Sequence, residues 1–144
     1  MTQPPILLVE DNDDDADLTA MAFREAGIAN PLVRVRDGVE ALERLHGRDG
    51  NAPPAPPVVV LLDLKLPRVN GIDVLKSIRT HEGTKHLPVV ILTSSDEQTD
   101  RMAAYAHFAN SYVRKPIDYD AFVAASRRLG LYWTVTNVPP PLDR

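Results

Sequence analysis

Short apolar runs recur along the chain at residues 5–10, 31–36, 58–63, 88–93 and 111–115. Three of them, PILLVE, VVVLLD and PVVILT, are nearly continuous, which suits strands covered on both faces, as in a parallel sheet. PLVRVR alternates instead, which places it at or near a sheet edge. Between the runs, the apolar positions change to helical spacing. Asp14–Ala26 sets Leu18, Met21, Ala22 and Ala26 on one face, and Gly27 is a suitable stop. Gly38–Leu45 aligns Val39, Leu42 and Leu45, and Gly71–Arg79 aligns Ile72, Leu75 and Ile78. Asp96–Ala106 turns Met102, Ala103 and Ala106 one way, and Asp118–Leu129 does the same with Phe122, Ala125, Ser126 and Leu129. Strand and helix alternate throughout, which predicts a doubly wound parallel sheet with right-handed crossovers and helices on both faces.

Two segments stand outside this alternation. GRDGNAPPAPP at 47–57 is rich in Pro and Gly and reads as an extended, solvated connection. The tail LYWTVTNVPPPLDR carries the only Trp. The expected organisation is one domain over 1–130 and a C-terminal extension over 131–144.

Composition narrows the function. A chain of 144 residues with 44% hydrophobic content is large enough to bury a core as one domain. A net charge of −4, with no run of five Lys or Arg residues, argues against nucleic acid as a partner. The lack of cysteine excludes a disulfide framework, a thiolate metal site and a cysteine nucleophile. MTQPPILLVED lacks the features of a signal peptide, and no apolar run has the length of a membrane span. The expected location is the cytoplasm, with no membrane partner.

Candidate chemistry gathers at the carboxyl ends of the strands, where open α/β sheets bind ligands. Glu10 and Asp11 follow the first strand, Asp63 the third, Thr93 the fourth, and Lys115 and Pro116 the fifth. In the flavodoxin-like order 2-1-3-4-5, strands one and three are neighbours, so their terminal carboxylates converge. Singly, each residue has an ordinary role: Asp11 or Thr93 as a helix cap, Asp63 in a turn, Lys115 in solvent. Together they suit phosphoryl transfer. Clustered carboxylates need a hard cation such as Mg²⁺ among them, and one carboxylate can act as nucleophile. Lys115 and Thr93 can then supply positive charge and a donor to the transferred group.

The motifs LLVED, LLDLKLPRVNG, PVVILTS and SYVRKP, in this order and on these strands, resemble the receiver domain of two-component response regulators over about residues 5–129. The resemblance implies a (βα)5 fold and a chain that catalyses its own phosphorylation and dephosphorylation without being an enzyme. It implies Asp63 as phosphoacceptor, with Asp11, Asp63 and the Lys65 carbonyl as Mg²⁺ ligands and Glu10 acting partly through water. Lys115 would bind the phosphoryl group and Thr93 would engage it after transfer. Tyr112 would turn inward as Thr93 moves, and the readout would lie on helix four, strand five and helix five. A cis Lys115–Pro116 bond is also implied.

Within that family, DLKLP and the tail GLYWTVTNVPP are similar to single-domain regulators paired with bacterial phytochrome kinases. The implied partner is a sensor histidine kinase of bacteriophytochrome type, and the output is either a protein contact or a phosphate sink. In those relatives the segment beyond helix five makes dimer contacts, which implies a homodimer. Leu131, Tyr132, Trp133 and Val135 would serve that role, or pack back onto their own domain.

Two positions depart from the family pattern. Lys65 stands two residues after Asp63, where a polar neutral residue is common. Phe108 replaces a glycine after helix four, so that helix is expected to end without its usual left-handed residue, through Asn110.

Rival readings fit less well. In EDNDDDAD, a calcium loop starting at Asp11 has Ala16 at the turn glycine and Ala22 at the final Glu; starting at Asp13 gives Leu18 and Arg24. Glu10 and Asp11 are therefore assigned to the site, Asp13, Asp14 and Asp15 to the cap and first turn of helix one, and Asp17 to solvent. The alternative function is a Mg²⁺-dependent aspartate-based phosphatase-like enzyme, but no second acid lies two residues beyond Asp63. His46, His81, His86 and His107 lie away from the rim and read as surface residues. The roughly 15 residues beyond a receiver are too few for a DNA-binding helix-turn-helix module.

Overall fold

A computed structural model describes residues 3–141. The apolar runs form β1 (Ile6–Val9), β2 (Leu32–Val35), β3 (Val59–Leu62), β4 (Val89–Thr93) and β5 (Ser111–Arg114). Between and after them lie α1 (Asp13–Glu25), α2 (Gly38–His46), α3 (Gly71–Thr80), α4 (Gln98–Ala106) and α5 (Tyr119–Leu131). The strands pair in parallel in the order β2-β1-β3-β4-β5, the flavodoxin-like arrangement expected. β1, β3 and β4 are buried along their whole length, whereas the edge strand β2 is half-buried, as its alternation implies.

Continuous apolar runs are needed because adjacent residues of a strand serve different cores. Leu7, Val9, Val60, Leu62, Val89 and Ile91 pack with Ala41 and Leu45 of α2, Val74, Leu75 and Ile78 of α3, and Ala104 of α4. Their neighbours Ile6, Leu8, Val59, Leu61 and Val90 pack with Ala16 and Phe23 of α1. Each such side chain contributes about 1.5–3 kcal/mol by leaving water.

The register brings the chemically useful ends together. Val9 lies beside Leu62, and Leu62 beside Ile91, so β1, β3 and β4 finish on one rim. The Asp63 amide donates to the Val9 carbonyl at 3.1 Å, and the Lys115 amide to the Thr93 carbonyl at 2.7 Å. Gly71 lies against the backbone of Asp63 and Leu64, where a Cβ would collide, so α3 can start directly beneath the β3 end.

Asn12, Asp37, Asn70 and Asp118 each accept a backbone N–H in the first turn of α1, α2, α3 and α5, a contact worth about 1 kcal/mol per helix. The α1 cap is thus Asn12, not one of the acids expected there. Asp13, Asp14 and Asp15 instead occupy the first turn, which suits the positive end of the dipole. Gly27 ends α1 in the left-handed region, as expected. Residues 47–57 are mostly exposed, with one short bridge between Arg48 and Asn51.

Several expectations are corrected. α4 starts at Gln98, not Asp96, and approaches the core through the small Ala104. Its larger apolar side chains face outward, with Met102 63% exposed. Phe108 itself takes the left-handed conformation, φ 65°, that glycine was expected to be needed for. The Arg79 guanidinium holds that turn: Nε and Nη2 donate to the Phe108 carbonyl at 3.0 and 2.8 Å. Nη2 also donates to Asn110 Oδ1, which accepts the Val89 amide as well, both at 2.8 Å. The turn is over-determined, and that offsets the steric cost. All peptide bonds of the described residues are trans, Lys115–Pro116 included, so the cis bond expected there is not present.

The chain past α5 continues without a break. Gly130 is buried against Phe23 and Ile28, α5 runs on through Leu131, and Tyr132–Thr136 form a turn of π-helix. Trp133 packs back on the α1 side of the sheet, while Leu131, Tyr132 and Val135 are exposed. Residues 142–144 of the expected extension lie outside the described residues.

Candidate functional site

Buried strand ends deliver the acidic groups. Glu10 and Asp63 are buried and Asp11 is exposed beside them. Each offers one carboxylate oxygen, and the three oxygens lie within 4.8 Å of one another. Lys115, at the end of β5, faces the same cluster. Its Nζ lies 2.6 Å from Glu10 Oε1, 3.0 Å from Asp63 Oδ2 and 2.9 Å from Asp15 Oδ2. On the other Asp63 oxygen, Oδ1 accepts the Thr93 hydroxyl at 2.8 Å and the Lys65 amide at 3.2 Å. Thr93 is fully buried, so its hydroxyl is fixed for that contact and does not cap α4.

The electrostatics follow from burial. Desolvation pushes the Glu10 carboxyl up to about 7, against the opposing pull of Lys115. Burial alone would lower the Lys115 ammonium, but the hydrogen bond it donates to Glu10 and the charges of Asp63 and Glu10 outweigh it and raise its pKa. Glu10, Asp15 and Asp63 thus share one ammonium, and Asp11 beside them has no ion-pair partner among the described residues. That excess of negative charge and all-oxygen donor set fit a hard divalent cation at Glu10, Asp11 and Asp63.

Tyr112 reaches the site indirectly. Its hydroxyl donates to the Ser95 carbonyl at 2.9 Å, and the Ser95 amide faces Thr93 Oγ1 at 3.4 Å. The ring is half-buried against the core on the α3–α4 side. Burial raises the phenol pKa against the opposing pull of the Ser95 contact. Asp13 lies outside the site because Arg34 and Arg36 hold it, at 2.9 and 2.7 Å. Those hydrogen bonds, Arg34 first, depress its pKa.

Of the rim residues read from the sequence, Glu10, Asp11, Asp63, Thr93 and Lys115 therefore meet here. Sequence reasoning missed Asp15, Ser95 and Asp100. Asp15 lies four residues past Asp11 at the mouth of α1, and that spacing was the available signal. Asp100 Oδ2 accepts the Ser95 hydroxyl at 2.5 Å, a contact with no sequence signature. The histidines are absent from the site, yet His46 is not a free surface residue. Its ring stacks on His81 at 3.8 Å between centroids, and Nε2 lies 3.0 Å from Ser77 Oγ.

Comparison with known proteins places this geometry. Residues 6–127 match the model of the response regulator receiver domain. The probable methanogenesis regulatory protein FilR2 of Methanothrix harundinacea is 39% identical, over 94% of this chain and 86% of its own. Response regulator Rcp1 of Synechocystis is 33% identical over 96% of each chain, and its Mn²⁺-bound structure superposes with a TM-score of 0.89. The phosphorylated cyanobacterial phytochrome response regulator RcpA superposes with a TM-score of 0.91 at 31% identity, covering 97% of this chain and all of that one.

Proposed function

The chain belongs to the response regulator receiver family, and from that premise we propose that it accepts a phosphoryl group from a sensor histidine kinase on Asp63. The observation that carries the proposal is the division of labour on that carboxylate. Oδ1 takes the Thr93 hydroxyl and the Lys65 amide, while Oδ2 takes the Lys115 ammonium, beside Glu10 and Asp11.

In the transfer, one Asp63 oxygen forms a bond to phosphorus as the bond from phosphorus to the donor imidazole nitrogen breaks, leaving the electron pair on the imidazole. Asp11, Asp63 and the Lys65 carbonyl, with Glu10 partly through water, would hold Mg²⁺, which when bound would neutralise charge on the phosphoryl oxygens. Lys115, kept by Glu10, moves its remaining donors from Asp63 to the new phosphoryl oxygens. Thr93 transfers its hydroxyl from Asp63 Oδ1 to the same group. Ser95 is tied to Thr93 through its amide and to Tyr112 through its carbonyl, so a shift of Thr93 reaches Tyr112 and the face formed by α4, β5 and α5. The same site, with water as acceptor, returns Asp63 to the free carboxylate.

The proposed kinase is of bacteriophytochrome type, supported by the likeness to RcpA and Rcp1 over nearly their whole lengths. We place the protein in the cytoplasm as a single-domain regulator over 1–130 that acts through protein contacts or as a phosphate sink, and not through nucleic acid. No helix among the described residues is long and apolar enough to cross a membrane. The extension 131–144 is proposed as a homodimer arm, supported by the exposure of Leu131, Tyr132 and Val135. Phosphotransfer from autophosphorylated bacteriophytochrome kinases tests the pairing. Rapid loss of label from one such kinase to the wild-type chain, and none to Asp63→Asn, is expected. Transfer only from kinases of other classes would refute it.

A further inference from the structure

The side chain of Lys65 is committed, although it is exposed. Its Nζ lies 3.4 Å from Asp100 Oδ2, in the first turn of α4. That same oxygen accepts the Ser95 hydroxyl at 2.5 Å, and Ser95 Oγ accepts the Glu97 amide at 3.3 Å. Ser95 also contacts Thr93 through its amide and Tyr112 through its carbonyl. The pair therefore spans from the loop after Asp63 to the point where Thr93, Tyr112 and the start of α4 meet.

The root of Lys65 is equally placed. Its backbone amide donates to Asp63 Oδ1, so the side chain starts beside the carboxylate that would receive the phosphoryl group. A phosphoryl group carries roughly two negative charges near neutral pH, whereas Asp100 carries one. The Asp100 charge is also met by the Ser95 hydroxyl and by the N-terminal end of α4. Lysine is a mobile point charge on a flexible stem and can change partners without rebuilding the backbone. Of the other acids of this loop, Asp96 pairs with Arg114 at 3.3 Å, and Glu97 acts on Lys65 through its charge, behind Asp100, without forming an ion pair with it.

We propose that Lys65 is a charge shuttle: it latches α4 through Asp100 in the resting protein and moves onto the phosphoryl group of Asp63, releasing the Ser95–Asp100 unit to move with Thr93. The inference rests on Asp63 as phosphoacceptor and adds a phosphoryl-contacting role for Lys65 and a positioning role for Asp100.

The two residues then have opposite effects on binding of a phosphoryl mimic. Beryllofluoride with Mg²⁺ is titrated into the full chain, and its dissociation constant is read from amide resonances of Thr93, Ser95 and Tyr112. Lys65→Met removes a ligand of the mimic and weakens binding, by about two- to five-fold, the range an exposed ion pair controls. Asp100→Asn keeps an acceptor for Ser95 but frees Lys65, and tightens binding by a similar factor. The double variant matches Lys65→Met, because without Lys65 the charge on Asp100 has nothing to withhold. If both single variants move the affinity the same way, or the double variant shows the sum of the two, the pair is only a structural tie and the proposal falls. If the wild type binds no beryllofluoride, the assignment of Asp63 falls with it.

Discussion

Replacing Lys115 by Met keeps most of the buried stem and deletes the ammonium that three carboxylates share. The Lys115 side chain is 8% exposed, and those of Glu10 and Asp63 are 3% and 7% exposed, so two of its three ion pairs are buried. Removing one partner of a buried pair destabilises by about 3–5 kcal/mol, because the charge left behind is uncompensated. The third partner, Asp15, is more exposed and adds little. At about 2–4 °C per kcal/mol for a chain of this size, the melting temperature falls by on the order of 10 °C. The loss depends on pH in a defined direction. Burial already pushes Glu10 from 4.5 up to about 7, and removing the opposing cation raises it further. Between those values the folded state binds more protons than the unfolded state, so stability decreases as pH rises through the window. Thermal unfolding without Mg²⁺, at about pH 5.5 and about pH 8.5, then shows a small deficit in acid and the full deficit in base. Added Mg²⁺ recovers part of the loss at high pH through Glu10, Asp11 and Asp63. Equal melting temperatures of variant and wild type at high pH, or a larger deficit in acid, would refute the charge argument.

Phe108→Gly relieves a left-handed residue that is 73% exposed and loses little packing. Relief of about 1–2 kcal/mol, less the greater flexibility of glycine when unfolded, leaves a gain of about 0.5–1 kcal/mol, read as a higher urea midpoint. His46 has a pKa held below 6.5 by burial and then by the charge of His81. The unfolded chain therefore binds a proton first, and stability falls as pH drops below about 6.5; His46→Phe should flatten that slope in denaturant titrations over the same range. If Tyr132 and Val135 form a dimer arm, Tyr132→Asp shifts the sedimenting species to monomer, and an unchanged mass removes that role.

The strands were legible because burial on both faces leaves no polar position to interrupt Ile6–Val9, Val59–Leu62 or Val89–Leu92. The rim residues were legible because a parallel sheet puts every strand's carboxyl end on the same side, whatever the intervening helices do. Features made by distant partners were not. Phe108 holds a conformation its side chain disfavours because Arg79, 29 residues earlier, grips its carbonyl. His46 meets His81 across two helix ends, and Lys65 meets Asp100 across the site, with no local pattern announcing either contact. In α4 the apolar pattern misled, since a short helix touching the core through Ala104 can leave Met102 and Tyr105 in solvent. The choice of Asn12 over its acidic neighbours as the α1 cap was likewise open, because Asn and Asp cap equally well.

The proposed function depends above all on Asp63 being the residue that takes the phosphoryl group. Acetyl phosphate with Mg²⁺, followed by borohydride reduction of the acyl phosphate and peptide mass mapping, reads the acceptor directly. One phosphoryl group per chain and a reduced residue at Asp63 are expected, and neither in Asp63→Asn. A reduced residue at Asp11 or Asp15, or full phosphorylation of Asp63→Asn, would contradict it.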